Sequence, residues 1–167
     1  MSYPQPTAGT CFQAPFGPLW VATSPGGLVR VAIGARGPTH SSPAQASPGA
    51  EAMLRAALEE LSAYFNTPHH QFTVPVDWAA LGLTPFRRRV LQEAYLIPWG
   101  CVVTYGALAR AIGNPRAARA VGRALAANPV PIVIPCHRVV ATTGALHGYS
   151  AGLHVKDFLL RHEGVLT

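Results

Sequence analysis

From Thr84 onward the chain is cut into short helices by start and stop signals that leave little freedom in how it can fold. Thr84-Pro85 reads as an N-cap followed by proline at the first helical position. The helix it opens carries Phe86, Val90 and Ala94 on one face, with Arg87, Arg88 and Arg89 around the rest, and stops before Pro98-Trp99-Gly100. Thr104 caps a second helix, whose Tyr105, Leu108, Ala109 and Ile112 recur at i, i+3, i+4 and i+7. Gly113 ends it, and Asn114-Pro115 opens a third at once, expected over residues 115–127. Two short helices joined by a tight glycine turn outline a helix-turn-helix. One more helix is expected near 153–162.

The third helix has two contrasting faces. Ala118, Val121 and Leu125 fall where they would pack inward, while Arg116, Arg119 and Arg123 repeat the same spacing on another face. Ala117, Ala120, Ala124 and Ala127 lie between them. Small residues let a helix backbone come close to a groove, and the arginines can reach phosphates or enter a duplex. The charge distribution agrees. Residues 84–167 hold nine Arg and Lys156 against Glu93, Asp157 and Glu163, about +7, whereas residues 1–83 come to about −1, together the chain's +6. A basic half of this kind is the electrostatic footprint of a polyanion binder.

The first half reads differently. Phe12 to Phe16, Leu19 to Ala22 and Leu28 to Ile33 look like strands separated by turns at Gly17-Pro18 and Pro25-Gly26-Gly27. Residues 34–50 read as a loop, residues 50–65 as an amphipathic helix, and Gln71 to Val76 as a further strand. The division expected is one domain over 1–80 and another over 84–167. The chain has no apolar run long enough for a membrane span and no signal peptide at its start, so no membrane association is expected. Cys11, Cys101 and Cys136 are too few and too scattered for a disulfide framework or a zinc finger. The cytoplasm is the compartment this implies.

Cys136 stands out by its neighbours. It closes the apolar run Ile132-Val133-Ile134-Pro135 and is followed by His137 and Arg138. A thiolate is the strongest nucleophile a side chain offers near neutral pH. His137 can serve as its base, acting through a water because adjacent side chains on a helical turn do not face each other. Arg138 adds positive charge that favours the thiolate. An imidazole in this role needs an orienting acceptor. Among the three acids of this half, Glu163, at the end of the last helix, is the best placed.

The stretch Ile134-Pro135-Cys136-His137-Arg138-Val139 resembles the active-site signature of the O6-alkylguanine-DNA alkyltransferases. Asn114 through Gly122 and Asn128-Pro129 resemble that family's recognition helix and hinge, Tyr149 to Gly152 and Leu159 to Gly164 its pocket and last helix, and Gly17-Pro18-Leu19 its first domain. The fold this implies is α+β: a small ribonuclease H-like α/β domain followed by a winged helix-turn-helix. The activity implied is single-turnover transfer of a methyl or larger alkyl group from O6-alkylguanine in double-stranded DNA to Cys136, without a cofactor. Some members of the family bind zinc in the first domain, but here Cys11 stands alone and His69-His70 come late, so no metal is expected. Whether O4-alkylthymine is also repaired is left open. By matching position, the resemblance makes His137 the water-mediated base, Glu163 its orienting partner, and Tyr105 an aid to base flipping near the leaving oxygen. Arg119 becomes the finger that replaces the flipped nucleotide. From the helix face itself Arg116, Ala117 and Ala120 are expected as further DNA contacts, and Arg123, which stands where the family often has a small residue, is expected to add a phosphate contact. Asn128 becomes a brace, Tyr149 and Ser150 neighbours of the guanine, and Val139 and Val140 carbonyl readers of its amine. A monomer is implied, with cooperative assembly on DNA left open.

The chain departs from the family where two glycines commonly follow the Tyr-Ser pair. It has Ala151-Gly152, with His147 upstream, which is expected to narrow tolerance for bulky alkyl groups. A non-catalytic damage sensor of the same fold is the alternative, but such proteins replace the cysteine.

Overall fold

The computed structural model describes residues 7–34, 46–146 and 148–167 and divides into two units, Met1–Gly82 and Leu83–Thr167. Most of the loop expected over 34–50, and His147, lie outside the described residues.

In the first unit, β1 (Ala8–Ala14), β2 (Gly17–Ser24) and β3 (Gly27–Ile33) form an antiparallel meander. Both hairpins are tight, pairing Ala14 with Gly17 and Ser24 with Gly27. The first turn is therefore Pro15-Phe16, two residues before the expected Gly17-Pro18. The fixed φ of Pro15 suits the first central position, and Gly17 supplies the positive φ, +130°, on the way out. Gly27 repeats this at +130°, and there a Cβ would lie 2.1 Å from the Pro75 carbonyl oxygen, so no other residue fits.

Helix α1 (Pro48–Asn66) starts at Ser47, whose hydroxyl accepts from the Ala50 amide at 3.2 Å. Ala57, Leu61 and Tyr64 are fully buried along one of its faces. The strand expected over Gln71–Val76 does not form. Among the described residues its one ladder contact is an isolated bridge between Leu28 and Val76, because Glu60 of α1 takes the amides of Thr73 and Val74 on its carboxylate at 2.9–3.0 Å. With those donors satisfied by a side chain, the ladder cannot continue.

The second unit holds α2 (Pro85–Tyr95), β4 (Val103–Thr104), α3 (Tyr105–Ala111), α4 (Ala118–Ala126), β5 (Val139–Val140) and α5 (Leu153–His162). Thr84 and Thr104 cap α2 and α3, accepting from the Arg87 and Ala107 amides. Helices α2, α3 and α4 pack on one another, and β4 pairs in parallel with β5. Helix α4 begins at Ala118, not at 115. Asn114 to Ala117 close a hydrogen-bonded turn of their own, so the helical ladder starts only with the Ala117 carbonyl, which accepts from Val121 at 2.8 Å. Two arginines of α2 reach the ends of the other helices. Arg87 Nη2 donates to the Ala127 carbonyl at 2.7 Å, and Arg89 Nη2 to the Ile112 carbonyl.

Candidate active site and nucleic-acid interface

The segment that carries Cys136 is held from both sides by one amide side chain. Asn128 Nδ2 donates to the Ile134 carbonyl at 2.9 Å, and Asn128 Oδ1 accepts from the Val130 amide at 3.0 Å. Inside this loop Ile132 sits at φ +76°, a left-handed conformation that a β-branched residue adopts only under strong restraint. Residues 132–140 are all buried. The chain then makes a single 3-10 turn, Cys136–Arg138, before entering β5. Cys136 is 6% exposed, whereas Cys11 and Cys101 are exposed to solvent.

The neighbouring imidazole is fully buried and aligned by a carboxylate. His137 Nε2–H donates to Glu163 Oε1 at 2.8 Å. That leaves Nδ1 as the bare nitrogen of the neutral ring, buried and without a hydrogen-bond partner. The same carboxylate accepts two hydrogen bonds from Arg138, Nε to Oε2 at 2.8 Å and Nη2 to Oε1 at 2.9 Å. A third donor of this guanidinium, Nη1, meets the Ile97 carbonyl. Arg138 thus faces Glu163, which corrects the expectation that its charge supports the thiolate.

That charge comes from Lys156, which sequence reasoning left out. Its ammonium is 1% exposed by residue area, donates to the Val139 carbonyl at 2.6 Å and lies 5.9 Å above the centre of the Tyr105 ring. The signal was readable in α5, where Lys156 stands three and four residues before the buried Leu159 and Leu160, on the apolar stripe. The Val139 carbonyl, expected to read a base amine, is thus already engaged on one lone pair and keeps a second. Val140 follows it, also buried.

The protonation states follow from burial and these partners. Burial pushes the Cys136 thiol up, while hydrogen bonds from Asn128 and Tyr149 and the Lys156 charge pull it back. His137 is pushed down by burial, against the pull of Glu163, so the resting ring is neutral. Burial also lowers Lys156 and raises Tyr105, and the sulfur's charge raises both. Burial alone would raise Glu163, but the hydrogen bonds and charges of His137 and Arg138 together outweigh it and hold the carboxyl well below the usual carboxylate range. A neutral thiol therefore rests beside a neutral imidazole in the chain and near a buried cation.

Beside this site lies a basic helix. On α4, Val121, Ala124 and Leu125 are buried, Arg119 and Arg123 are exposed, and Ala120 is half-buried. Arg116 and Ala117 stand in the turn before the helix, Arg116 exposed and Ala117 half-buried. Gly122 backs onto Tyr105, where an added Cβ would touch the phenol ring at 3.7 Å. No acidic residue stands between Glu93 and Asp157, so nothing on this helix or its flanking loops opposes a polyanion. Tyr149 is half-buried near the thiol, Ser150 is exposed in the turn that follows, and Ala151 is half-buried before Gly152. Among the described residues no group of three or more His, Cys, Asp or Glu could hold a metal ion, and no helix is long and apolar enough to cross a membrane.

Comparison with known families matches residues 85–165 to the 6-O-methylguanine DNA methyltransferase DNA binding domain and residues 9–78 to the ribonuclease-like domain of the same family. A methylated-DNA--protein-cysteine methyltransferase of Salmonella typhimurium is 55% identical over 87 residues, so that the chain spans about half (51%) of that relative's length. Over nearly the whole chain, 92%, it is 39% identical to the enzyme of that name from Methanosarcina acetivorans, covering 96% of it. Its fold is similar to that of a Mycobacterium tuberculosis OGT solved in complex with DNA, with TM-score 0.78, 35% identity and coverage of 93% of this chain and 91% of that one.

Proposed function

Because the chain belongs to the 6-O-methylguanine DNA methyltransferase family, we propose that it repairs alkylated DNA by moving an alkyl group from guanine O6 to its own Cys136. The observation that carries this reading is the buried set of Cys136, His137 and Glu163 next to a helix that presents Arg119 and Arg123. A buried thiol cannot reach a base inside a duplex, so the damaged guanine must leave the stack, at a cost of a few kcal/mol. Arg119 fills the gap on the DNA side, with Arg116, Ala117, Ala120 and Arg123 along the backbone. The partner is double-stranded DNA, bound by a monomer in the cytoplasm.

The chemistry balances without a cofactor. The thiol proton passes to His137 Nδ1 through a water, and Glu163 and Lys156 stabilise the resulting imidazolium and thiolate. Sulfur attacks the alkyl carbon, the carbon–O6 bond breaks with its electron pair on oxygen, and Tyr105 relays a proton to the departing guanine. Asn128 braces the thiol segment, while Val139, Val140, Tyr149 and Ser150 line the base. In sum a thiol and an alkylguanine become a thioether and guanine, and no step restores the thiol. Each molecule therefore acts once.

Intact mass after mixing with duplex DNA containing one O6-methylguanine tests this directly. The expected result is a gain of one methyl per chain, saturating at equimolar DNA and absent with undamaged DNA. Tight lesion binding with no mass gain would instead make the protein a damage sensor. Ala151 adds a methyl at the pocket mouth, so benzyl transfer is expected to be slower than methyl transfer by roughly tenfold, in keeping with ~1–3 kcal/mol per misfitted methylene. Equal rates would remove Ala151 from the account of specificity.

A further inference from the structure

Arg87, Arg88 and Arg89 stand around the polar side of α2 in the sequence, and in the structure two of the three donate to carbonyls at helix ends. Arg87 Nη2 meets the carbonyl of Ala127, the C-terminal cap of α4, and its Nε is buried without a partner. One arm of this guanidinium is thus committed to the helix end, although the residue stays partly exposed. Arg87 places a cation at the C-terminal end of α4, where the helix dipole favours one. The next residue along the chain is Asn128, whose side chain spans Val130 and Ile134.

Resting on the function proposed above, we propose that Arg87 is a positioning residue: anchored on the last turn of α4, it fixes the hinge from which Asn128 aligns the segment carrying Cys136. Arg87 thereby couples the helix that meets DNA to the reacting sulfur. It acts by geometry, because the cation that bears on the thiol is Lys156, and the other groups facing the sulfur are Asn128, Tyr149 and Tyr105. A change at Arg87 removes none of these groups and bears on the thiol only through the placement of Asn128. Arg89 provides the internal comparison. It caps α3 at Ile112, away from the Asn128 hinge.

The test follows the thiolate by its ultraviolet absorbance across pH, in protein with Cys11→Ser and Cys101→Ser, against the same protein with Cys136→Ala as background. Arg87→Ala is expected to raise the titration midpoint of Cys136 and to slow methyl uptake about tenfold, the scale of a sub-ångström misplacement. It is also expected to leave the salt slope of DNA binding unchanged, whereas loss of a phosphate contact lowers that slope by about 1. Arg89→Ala should leave the Cys136 midpoint where it is, and Arg87→Lys should recover part of what Arg87→Ala loses. If Arg87→Ala does not fold, Arg87→Gln, which keeps a donor without the charge, replaces it. An unmoved midpoint, or a salt slope reduced by one charge, overturns the proposal and makes Arg87 an ordinary surface or phosphate residue. A parent protein that takes up no methyl would sink the repair function instead, while the thiol titration would still decide the role of Arg87.

Discussion

Cys136→Ala is expected to take up no alkyl group from O6-methylguanine DNA while still binding the lesion. The loss should be complete, because Cys11 and Cys101 are exposed and have neither an aligned imidazole nor a buried cation. Binding should survive, because the arginines of α4 and the turn before it stand outside the thiol's surroundings. Replacing the mostly buried thiol by hydrogen removes one small group, so the fold should tolerate it at a cost of about 1 kcal/mol. Peptide mapping of the parent protein after reaction provides the converse. A mass gain retained in Cys136→Ala and located on Cys11 or Cys101 would refute the assignment of the acceptor.

Glu163→Gln should produce the second large effect, on rate and stability together. The carboxylate holds His137 on one oxygen and Arg138 on both. An amide can accept one of those bonds but confronts the guanidinium with its own N–H groups, and it no longer balances the imidazolium that forms when the thiol is deprotonated. Methyl transfer is expected to fall by about 10²–10⁴-fold, the usual worth of a positioned acid–base group. Removing one partner from a buried ion pair costs about 3–5 kcal/mol. The pH dependence has a definite sign. The folded Glu163 carboxyl is held well below its ordinary value, so its contribution is fully present above the unfolded carboxyl pKa of about 4.3. It is lost as pH falls through the folded value. The gap in melting temperature between parent and variant should therefore be wide at about pH 7 and narrow toward about pH 3. A gap that is constant across this range would mean that Glu163 contributes by shape, not by charge.

The legible parts of this chain were those governed by local rules. Thr84, Thr104 and Gly113 mark helix ends whose hydrogen bonds lie within a few residues of each other, and all three stand where those rules put them. Differences arose where a competing acceptor, distant in one case and local in the other, took a donor first. Glu60 takes the amides that would have made Gln71–Val76 a strand, and the turn at Asn114 delays a helix that the Asn-Pro signal placed three residues earlier. In the candidate site, the Cys136-His137 pair is adjacent in sequence and announces itself. The target of Arg138 is not, because its partners Ile97 and Glu163 lie 41 and 25 residues away. Lys156 was overlooked for another reason. A lysine among leucines is normally expected to send its ammonium to solvent, and only the Val139 carbonyl and the Tyr105 ring explain why this one stays inside.

The accessibility of the three thiols has a consequence for survival under chemical attack. A small electrophile diffusing through the cell meets Cys11 and Cys101 at the surface and finds Cys136 shut in and protonated. An acceptor that works once is wasted by any adventitious hit. On the mechanism proposed above, enclosure reserves it for alkyl groups delivered on a base that has swung out of the helix.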